Sequence, residues 1–255
     1  FHFAALKSVP ESEKNPDLYK KNNVEGTKKL LSLMQTLSIK RIIFSSSAAV
    51  YGNQEIQPIK ETATLNPKSV YAKSKKLSED LIEKHAEIDS LKAISLRYFN
   101  PIGTHEDYVI TDNFEGFNGN IMAMLIRVAT GLENKLYIYG DDYPTADGTG
   151  ERDYIHINDI VDGHFKALEK LELIDEYEVY NLGTGSYASV LELIQILEKV
   201  NGLKIDYQIT SRRPGDLARS YADPSKANAE LNWEARYNLE TMCKDAWEAI
   251  KNGVN

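Results

Sequence analysis

Tyr71 and Lys75 are the residues whose types and spacing most directly suggest chemistry. Four residues apart on a helix, their side chains emerge on one face, and an ammonium group beside a phenol favours the phenolate. Lys75 is therefore expected to lower the pKa of Tyr71 and make it a base that can remove a hydroxyl proton. The helix that carries them is indicated by a turn opener, an N-cap and apolar residues at helical spacing: Asn66-Pro67, Ser69, Leu77, Leu81 and Ile82.

The elements around this pair alternate between strands and helices, which favours a parallel sheet covered by helices on both faces. Phe1–Ala5 resembles the end of a buried strand, and Asn100-Pro101 with Gly103 is expected to form a turn. Residues 108–119 are predicted to be a polar loop. The predicted strands are residues 41–46, 93–99, 136–139, 179–182 and 205–209. The predicted helices are residues 17–37, 121–130, 158–172, 190–200, 225–231 and 239–251 in addition to the Tyr71 helix.

Composition narrows the class of protein. The formal net charge of −8 comes without a basic block, so no nucleic acid and no anionic membrane are expected as partners. Cys243 is the only cysteine, which excludes an internal disulfide bond and favours a reducing compartment. The sequence contains no apolar run of membrane-spanning length, and no signal peptide is expected. We therefore predict a soluble, cytoplasmic protein.

Gly183 to Ala188 matches the glycine pattern of dinucleotide-binding loops, and Asp206 follows at the spacing of the acidic ribose ligand. Too few strands and helices follow this segment to build such a fold, so we interpret it as a tight strand-to-helix turn. The main phosphate-binding loop is then missing from the sequence given. We expect an N-terminal truncation of about two βα units, on the order of 60–80 residues.

Eight stretches in this order closely resemble the UDP-glucose 4-epimerase (galactose epimerase) family of extended short-chain dehydrogenases/reductases. The resemblance runs from Phe1 to about Lys251, and the family's N-terminal glycine-rich loop has no counterpart. The stretches are residues 2–8 (HFAALKS), 45–52 (SSSAAVYG), 71–75 (YAKSK), 96–103 (LRYFNPIG), 148–156 (GTGERDYIH), 180–185 (YNLGTG), 212–216 (RRPGD) and 230–233 (ELNW).

The resemblance implies an NAD-dependent isomerase of galactose metabolism. Tyr71 would take the proton of the sugar 4-hydroxyl, Lys75 would depress the pKa of Tyr71 and hold the nicotinamide ribose, and Ser47 would relay hydrogen bonds. NAD would be regenerated in each turnover, with UDP-glucose and UDP-galactose interconverted. The implied cofactor-binding residues are Phe3, Lys7, Asn22, Ser45, Tyr71, Lys75 and Tyr98. No metal site is predicted.

The resemblance also implies a UDP-sugar site. Arg152 and Arg213 would clamp the diphosphate with their guanidinium forks, unless they pair with Asp153 and Asp216 at the surface. Asn100 could equally serve only an Asn-Pro turn, and Tyr137 and Tyr139 could be ordinary strand residues. His156 is expected to be structural. The implied substrate-binding residues are Ser47, Asn100, Asn120, Ile121, Tyr137, Tyr139, Arg152, Arg213, Asp216 and Ser220.

The chain departs from the family pattern at Ala49, where a hydroxyl residue is common, at Ala123, where a proline is common, and at Ser220. The resemblance implies that family members with a bulky tyrosine at the Ser220 position are restricted to UDP-glucose and UDP-galactose. A small residue leaves space for an N-acetyl group at C2, so UDP-GlcNAc and UDP-GalNAc are expected as further substrates.

Two alternatives stay open. A sugar-nucleotide 4,6-dehydratase or related enzyme of the same family would need an acid beside Ser47, where Ser46 and Ala48 stand. A non-catalytic remnant that binds UDP-sugars would not need the catalytic residues.

The expected fold is α/β, a doubly wound Rossmann-like parallel sheet, N-terminally truncated, with a smaller C-terminal substrate-binding lobe. Residues 1–99 and about 155–182 would form the NAD-binding domain, and residues 100–154 and 183–255 the UDP-sugar lobe. The resemblance further implies a homodimer formed through the long helices after Asp17 and Asn66.

Overall fold

The structure is a computed structural model, and it describes residues 1–105, 120–213 and 216–251. The predicted polar loop at residues 108–119 lies outside this range. The helices are α1 (Val9–Lys14), α2 (Pro16–Tyr19), α3 (Gly26–Thr36), α4 (Val70–Asp89), α5 (Ile121–Ala129), α6 (Ile157–Leu171), α7 (Val190–Asn201), α8 (Ser225–Leu231) and α9 (Leu239–Lys251). The strands are β1 (Arg41–Ser47), β2 (Lys92–Tyr98), β3 (Asn100–Ile102), β4 (Leu136–Tyr139), β5 (Glu151–Arg152), β6 (Tyr154–His156), β7 (Tyr177–Leu182), β8 (Ala188–Ser189), β9 (Tyr207–Thr210) and β10 (Arg219–Ser220).

A parallel sheet of order β1-β2-β7 forms the centre of the fold. The central five residues of β1 and of β2 are buried, as expected when both faces of the sheet are covered. Ile42 and Phe44 point to α3 and α4, whereas Ile43 points to α6 and α8. Trp233 closes the second face, where its indole nitrogen donates to the carbonyl of Asp159. The predicted α/β architecture with helices on both faces is confirmed.

The helix predicted from residue 17 to residue 37 is interrupted. Between α2 and α3, Lys20–Glu25 winds as a π-helix, a wider turn that is often found at functional sites. The wider turn directs the Asn23 side chain inward, where its amide bonds both the N–H and the carbonyl of Leu6 and the hydroxyl of Ser74. Asn23 thereby connects the N-terminal segment to α4.

Two predictions about short segments need correction. In Phe1–Ala5 the strand pairing is limited to His2, which is buried and makes one parallel bridge to Phe44 of β1, while the flanking Phe1 and Phe3 are exposed. Asn100-Pro101 does not form a turn, since Asn100–Ile102 is strand β3 and pairs in parallel with β6. Proline is tolerated there because β3 uses the backbone of Asn100 for pairing, whose N–H donates to the carbonyl of Asp153.

A second apolar cluster lies outside the central sheet, among α5, α7, α9 and the parallel pair β4–β9. The short strands β10, β5 and β8 form a small mixed sheet beside it. Helix α7 begins with a capping box between Ser189 and Glu192 and ends at Gly202, whose positive φ closes the helix. None of the helices that the structure describes has the length and hydropathy needed to cross a bilayer.

Candidate active site

Tyr71 and Lys75 lie in the first two turns of α4, as predicted. The Ser69 hydroxyl caps the helix by accepting a hydrogen bond from the N–H of Ala72 at 3.1 Å. Helix α1 packs against the same turn, because Ser12 Oγ accepts from the N–H of Tyr71 at 3.1 Å. The start of α4 is therefore fixed by a cap and by a neighbouring helix.

Lys75 is buried beside the carboxyl end of β1. Its Nζ donates to the carbonyl of Ser45 at 2.6 Å and lies 4.8 Å from the centre of the Phe44 ring. Burial lowers the pKa of Lys75 to about 8, and the carboxylate of Glu79, one helical turn on, opposes this change. The surroundings of Lys75 therefore stabilise its charged ammonium form less than water does.

The predicted effect of Lys75 on Tyr71 is not seen. Burial raises the pKa of Tyr71, and the interaction that lowers it is a side-chain hydrogen bond with Ser47. The Lys75 ammonium turns towards the Ser45 carbonyl rather than towards the phenol, so the predicted effect stays a prediction. Ser47 also accepts from the N–H of Ala49, which fixes its side chain at the end of β1. The structure therefore brings Tyr71 and Ser47 together, with Lys75 one turn behind.

Phe3, Ser45 and Tyr98 surround one histidine, His164 of α6. The ring of Phe3 is 4.9 Å and that of Tyr98 5.5 Å from the ring of His164, centre to centre. The Tyr98 hydroxyl bonds His164 Nε2 at 2.7 Å, and Ser45 Oγ lies 3.4 Å from the same nitrogen. Three of the predicted cofactor residues are thus neighbours in the structure.

Lys7 and Asn22 are both exposed and lie on either side of Asn23. The Asn22 amide donates to Asn23 Oδ1 at 3.0 Å, and Leu6, which precedes Lys7, is bonded to the same side chain. Both residues are therefore placed near the start of α4 through Asn23, which bonds Ser74 there.

Asn100 and Asn120 meet at β3. The Asn100 amide donates to the carbonyl of Asp153 at 2.8 Å. Asn120 caps α5 by accepting from the N–H of Met122, and its amide lies 3.5 Å from the carbonyl of Pro101. Ile121, the first residue of α5, is partly exposed beside them. The backbone thus orients both amides at the border of the two apolar clusters.

Tyr139, Arg213 and Asp216 form a second polar group. The guanidinium of Arg213 lies 4.3 Å above the Tyr139 ring, and its Nε is 2.9 Å from Asp216 Oδ2. Tyr137 and Tyr139 are on the exposed face of β4, with exposed fractions of 49 % and 38 %. They are therefore not core residues, and the surface pairing considered for Arg213 is present.

Arg152 and Ser220 are adjacent because β5 and β10 pair in register at these two residues. Arg152 Nη1 donates to the carbonyls of Glu151 and Leu217. The alternative pairing of Arg152 with Asp153 was wrong, since Asp153 faces the opposite side of the strand and is fully buried. The Arg152 side chain is positioned by backbone carbonyls alone among the described residues.

The glycine segment after β7 forms a tight turn, as predicted, but it leads into α7 through the two-residue strand β8 rather than directly. The N–H groups of Thr184 and Gly185 donate to the carboxylate of Asp153, which also accepts from the N–H of Ala222. A Cβ at Gly183 would lie 2.6 Å from Asp153 Oδ2, so glycine allows this close approach. This turn therefore has no free cradle for a phosphate.

Three residues of the site were not predicted from the sequence: Asp153, Glu79 and His164. Glu79 follows Lys75 by four residues, so helical spacing alone could have suggested their interaction. Asp153 and His164 act on residues far away in the chain, and no local pattern indicates them.

Comparison with known proteins agrees with this geometry. A family model described as GDP-mannose 4,6 dehydratase matches residues 1–246. The UDP-glucose 4-epimerase of Bacillus subtilis is 44% identical over 255 residues, covering 100% of this chain and 75% of that protein.

Two solved structures superpose closely. One is a Stenotrophomonas UDP-glucose 4-epimerase with bound NAD and formylated UDP-arabinopyranose, which has a TM-score of 0.95 at 44% identity and covers 98% of this chain and 75% of that one. The other is the Bifidobacterium longum enzyme in complex with NAD+ and UDP, with a TM-score of 0.91 at 41% identity, covering 99% and 76%. With the Tyr71–Ser47 pair at the carboxyl end of a parallel sheet and similarity along its whole length, this chain belongs to the UDP-glucose 4-epimerase family of extended short-chain dehydrogenases/reductases.

Proposed function

We propose that the chain is an NAD-dependent UDP-sugar 4-epimerase that interconverts UDP-galactose and UDP-glucose. The observation that carries the proposal is that Tyr71 and the buried Lys75 ammonium, one helical turn apart on α4, lie with Ser47 at the carboxyl end of β1, where Lys75 donates to the Ser45 carbonyl. In open α/β sheets, ligands bind at this end of the strands. The family membership supports the same reaction.

The residues fit a dinucleotide. Lys75 has three donors, and one of them goes to the Ser45 carbonyl, so the buried ammonium retains donors for ribose hydroxyls. The exposed Phe3 ring next to His164 offers an apolar contact. Lys7 and Asn22 are exposed, and Asn22 is bonded to Asn23 near the start of α4. A bound nicotinamide dinucleotide supplies the reversible oxidation at C4 of the sugar.

Tyr71 and Ser47 are proposed to handle the proton. Tyr71 takes the proton of the sugar 4-hydroxyl, directly or through Ser47, and returns it to the same oxygen after the 4-keto sugar has turned over. Burial raises the pKa of Tyr71, so its phenolate is a strong base once it has formed. The interaction with Ser47 lowers this pKa and thereby favours formation of the phenolate. Lys75 is proposed to stabilise the same anion electrostatically once its ammonium is reoriented by ligand.

The UDP part of the substrate is assigned to the polar groups beside the second cluster. Arg213 and Arg152 are proposed to bind the diphosphate, with Asp216 at the ribose. Arg213 would then exchange its exposed ion pair with Asp216 for phosphate oxygens, a small loss because such pairs are weak. The remaining contacts are proposed for Asn100, Asn120, Ile121, Tyr137 and Tyr139.

Ser220 is proposed to admit substrates with an N-acetyl group at C2. It lies next to Arg152 across the β5–β10 pair, so its side chain is beside a proposed diphosphate residue. Serine leaves more volume there than tyrosine. Activity on UDP-GlcNAc should therefore be present, and Ser220→Tyr should abolish it by steric exclusion while the hexose reaction continues. Equal loss of both activities would contradict this role.

Further proposals concern assembly and organisation. We propose a dinucleotide-binding domain of residues 1–99 and about 155–182, with the remainder forming the UDP-sugar lobe. The exposed leucines of α3 and α4 support a homodimer. A cytoplasmic location is proposed because the one cysteine is free and buried.

The test is conversion of UDP-galactose to UDP-glucose by the full-length protein with NAD+, followed by mass spectrometry. Tyr71→Phe and Ser47→Ala should reduce kcat at least about a hundredfold, the usual size of a general acid–base contribution. Tyr177→Phe is the matched control, since it also removes a tyrosine–serine hydrogen bond from the sheet, to Ser95. A product lacking its 6-hydroxyl would indicate a dehydratase instead. UDP binding without turnover in the wild type would indicate a binding remnant.

A further inference from the structure

His164 is a buried histidine to which none of the proposed roles refers. It lies in α6 with an exposed fraction of 5 %, between the rings of Phe3 and Tyr98. Both of its ring nitrogens have partners. Nδ1 is 2.8 Å from the carbonyl oxygen of Ile160, and Nε2 is 2.7 Å from the Tyr98 hydroxyl. These two contacts define how the histidine is protonated.

A carbonyl oxygen can only accept, so His164 Nδ1 must carry the hydrogen in its bond to Ile160. Burial lowers the pKa of His164, which keeps the ring neutral and leaves Nε2 without a proton. Nε2 is then an acceptor, and the Tyr98 hydroxyl must be the donor. The carbonyl of Ile160, one helical turn earlier, therefore determines the direction of the hydrogen bond between Tyr98 and His164.

Ser45 contacts the same nitrogen. Its hydroxyl is 3.4 Å from His164 Nε2, which accepts from Tyr98 at 2.7 Å. Because Nε2 carries no proton, Ser45 can only donate to it, as a second and longer contact. The two hydroxyls therefore direct their hydrogens to His164, and His164 Nδ1 donates to the backbone. Connected hydrogen bonds of this kind polarise and strengthen each other.

We propose that His164 is a positioning residue for the dinucleotide site. His164 Nε2 accepts hydrogen bonds from the Tyr98 and Ser45 hydroxyls and so fixes the direction of both O–H groups. The two oxygens then present lone pairs, and no hydrogen-bond donor, towards the ligand. The groups recognised there are the N–H and O–H donors of the dinucleotide. The inference rests on the proposed function, because that function places Tyr98 and Ser45 at the cofactor.

The tautomer can be measured directly. Nitrogen-15 NMR of histidine-labelled full-length protein at pH 8 should show His164 with a protonated Nδ1 and a bare Nε2. Tyr98→Phe should shift the Nε2 resonance, since it removes the donor. A protonated Nε2 would make His164 the donor to Tyr98, which reverses the direction of this hydrogen bond and overturns the inference.

The second test measures NAD+ affinity by calorimetry. His164→Leu removes the acceptor and should weaken NAD+ about fivefold, the typical effect of one hydrogen bond. His164→Gln keeps a carbonyl for Tyr98 and an amide for Ile160, so it should recover most of the affinity. Equal losses in the leucine and glutamine variants would show a role in packing alone and overturn the proposal.

A double-mutant cycle with Tyr98→Phe separates positioning from general destabilisation. In that background His164→Leu should have little further effect on NAD+ affinity, whereas additive losses would contradict the coupling. Tyr177→Phe serves as the control and should leave the His164→Leu effect unchanged. Failure of epimerisation with this binding pattern intact would refute the proposed function only. Wild-type protein that binds no NAD+ would refute the inference as well.

Discussion

Lys75 illustrates how burial sets the properties of a single side chain. A Tyr-x3-Lys spacing correctly predicts that Tyr71 and Lys75 share a helix face, yet it cannot predict what the ammonium bonds. The Ser45 carbonyl and the Phe44 ring come from β1, about thirty residues earlier in the chain. The effect of Ser47, which lowers the pKa of Tyr71 against the larger effect of burial, likewise depends on tertiary structure.

The lowered pKa of Lys75 predicts a specific dependence of stability on pH. Between about pH 8 and 10 the unfolded state binds more protons than the folded state, because its lysine still has the ordinary, higher pKa. The free energy of unfolding contributed by Lys75 should therefore rise with pH across this window. Urea titrations should show the wild type gaining stability relative to Lys75→Met from pH 8 to pH 10.

The control is Lys73→Met, which removes an exposed lysine from the same helix. Its stability difference from the wild type should stay nearly constant over the same pH range. A parallel response of the two variants would show that Lys75 does not titrate with a lowered pKa.

At the scale of elements, α4 is joined to the sheet by a buried ion pair. Glu79 of α4 binds Arg97 of β2 through two contacts, Nε–Oε1 at 3.0 Å and Nη2–Oε2 at 2.7 Å. Glu79 also accepts from Ser46 of β1, and Arg97 donates to the hydroxyl of Tyr51. One carboxylate thereby connects the helix that carries Tyr71 to both strands that end at the site.

Glu79→Gln should destabilise the protein by about 3–5 kcal/mol, because it leaves the Arg97 charge buried without its counter-ion. Chemical denaturation measures this change. Asp80→Asn is the matched control on the same helix, since it breaks the more exposed pair with Lys76 and should cost at most about 1 kcal/mol. The combined variant Glu79→Leu with Arg97→Met should recover much of the loss. If Glu79→Gln were as mild as the control, the ion pair would not hold α4 to the sheet.

At the scale of the whole molecule, the fold class and most helices and strands could be predicted because they depend on local periodicity. The helices at residues 225–231 and 239–251 and the strand at residues 136–139 have the predicted boundaries. The short strands β3, β5 and β10 could not be predicted, since two or three residues carry no period and form strands only through distant partners. The contact of Asp153 with the glycine turn could not be predicted either, because Asp153 lies about thirty residues earlier in the chain.

The proposed homodimer makes the last prediction. Apolar side chains on α3 and α4 remain exposed, with exposed fractions of 55 % for Leu33 and 48 % for Leu77. Paired helices of two copies would bury them, and each leucine contributes roughly 1.5–3 kcal/mol when fully buried. Leu77→Glu should therefore shift sedimentation velocity from dimer to monomer at micromolar concentration. Leu173→Glu changes an even more exposed leucine outside these helices and should leave the dimer intact. A monomeric wild type, or dissociation by both variants alike, would place no interface on α3 and α4.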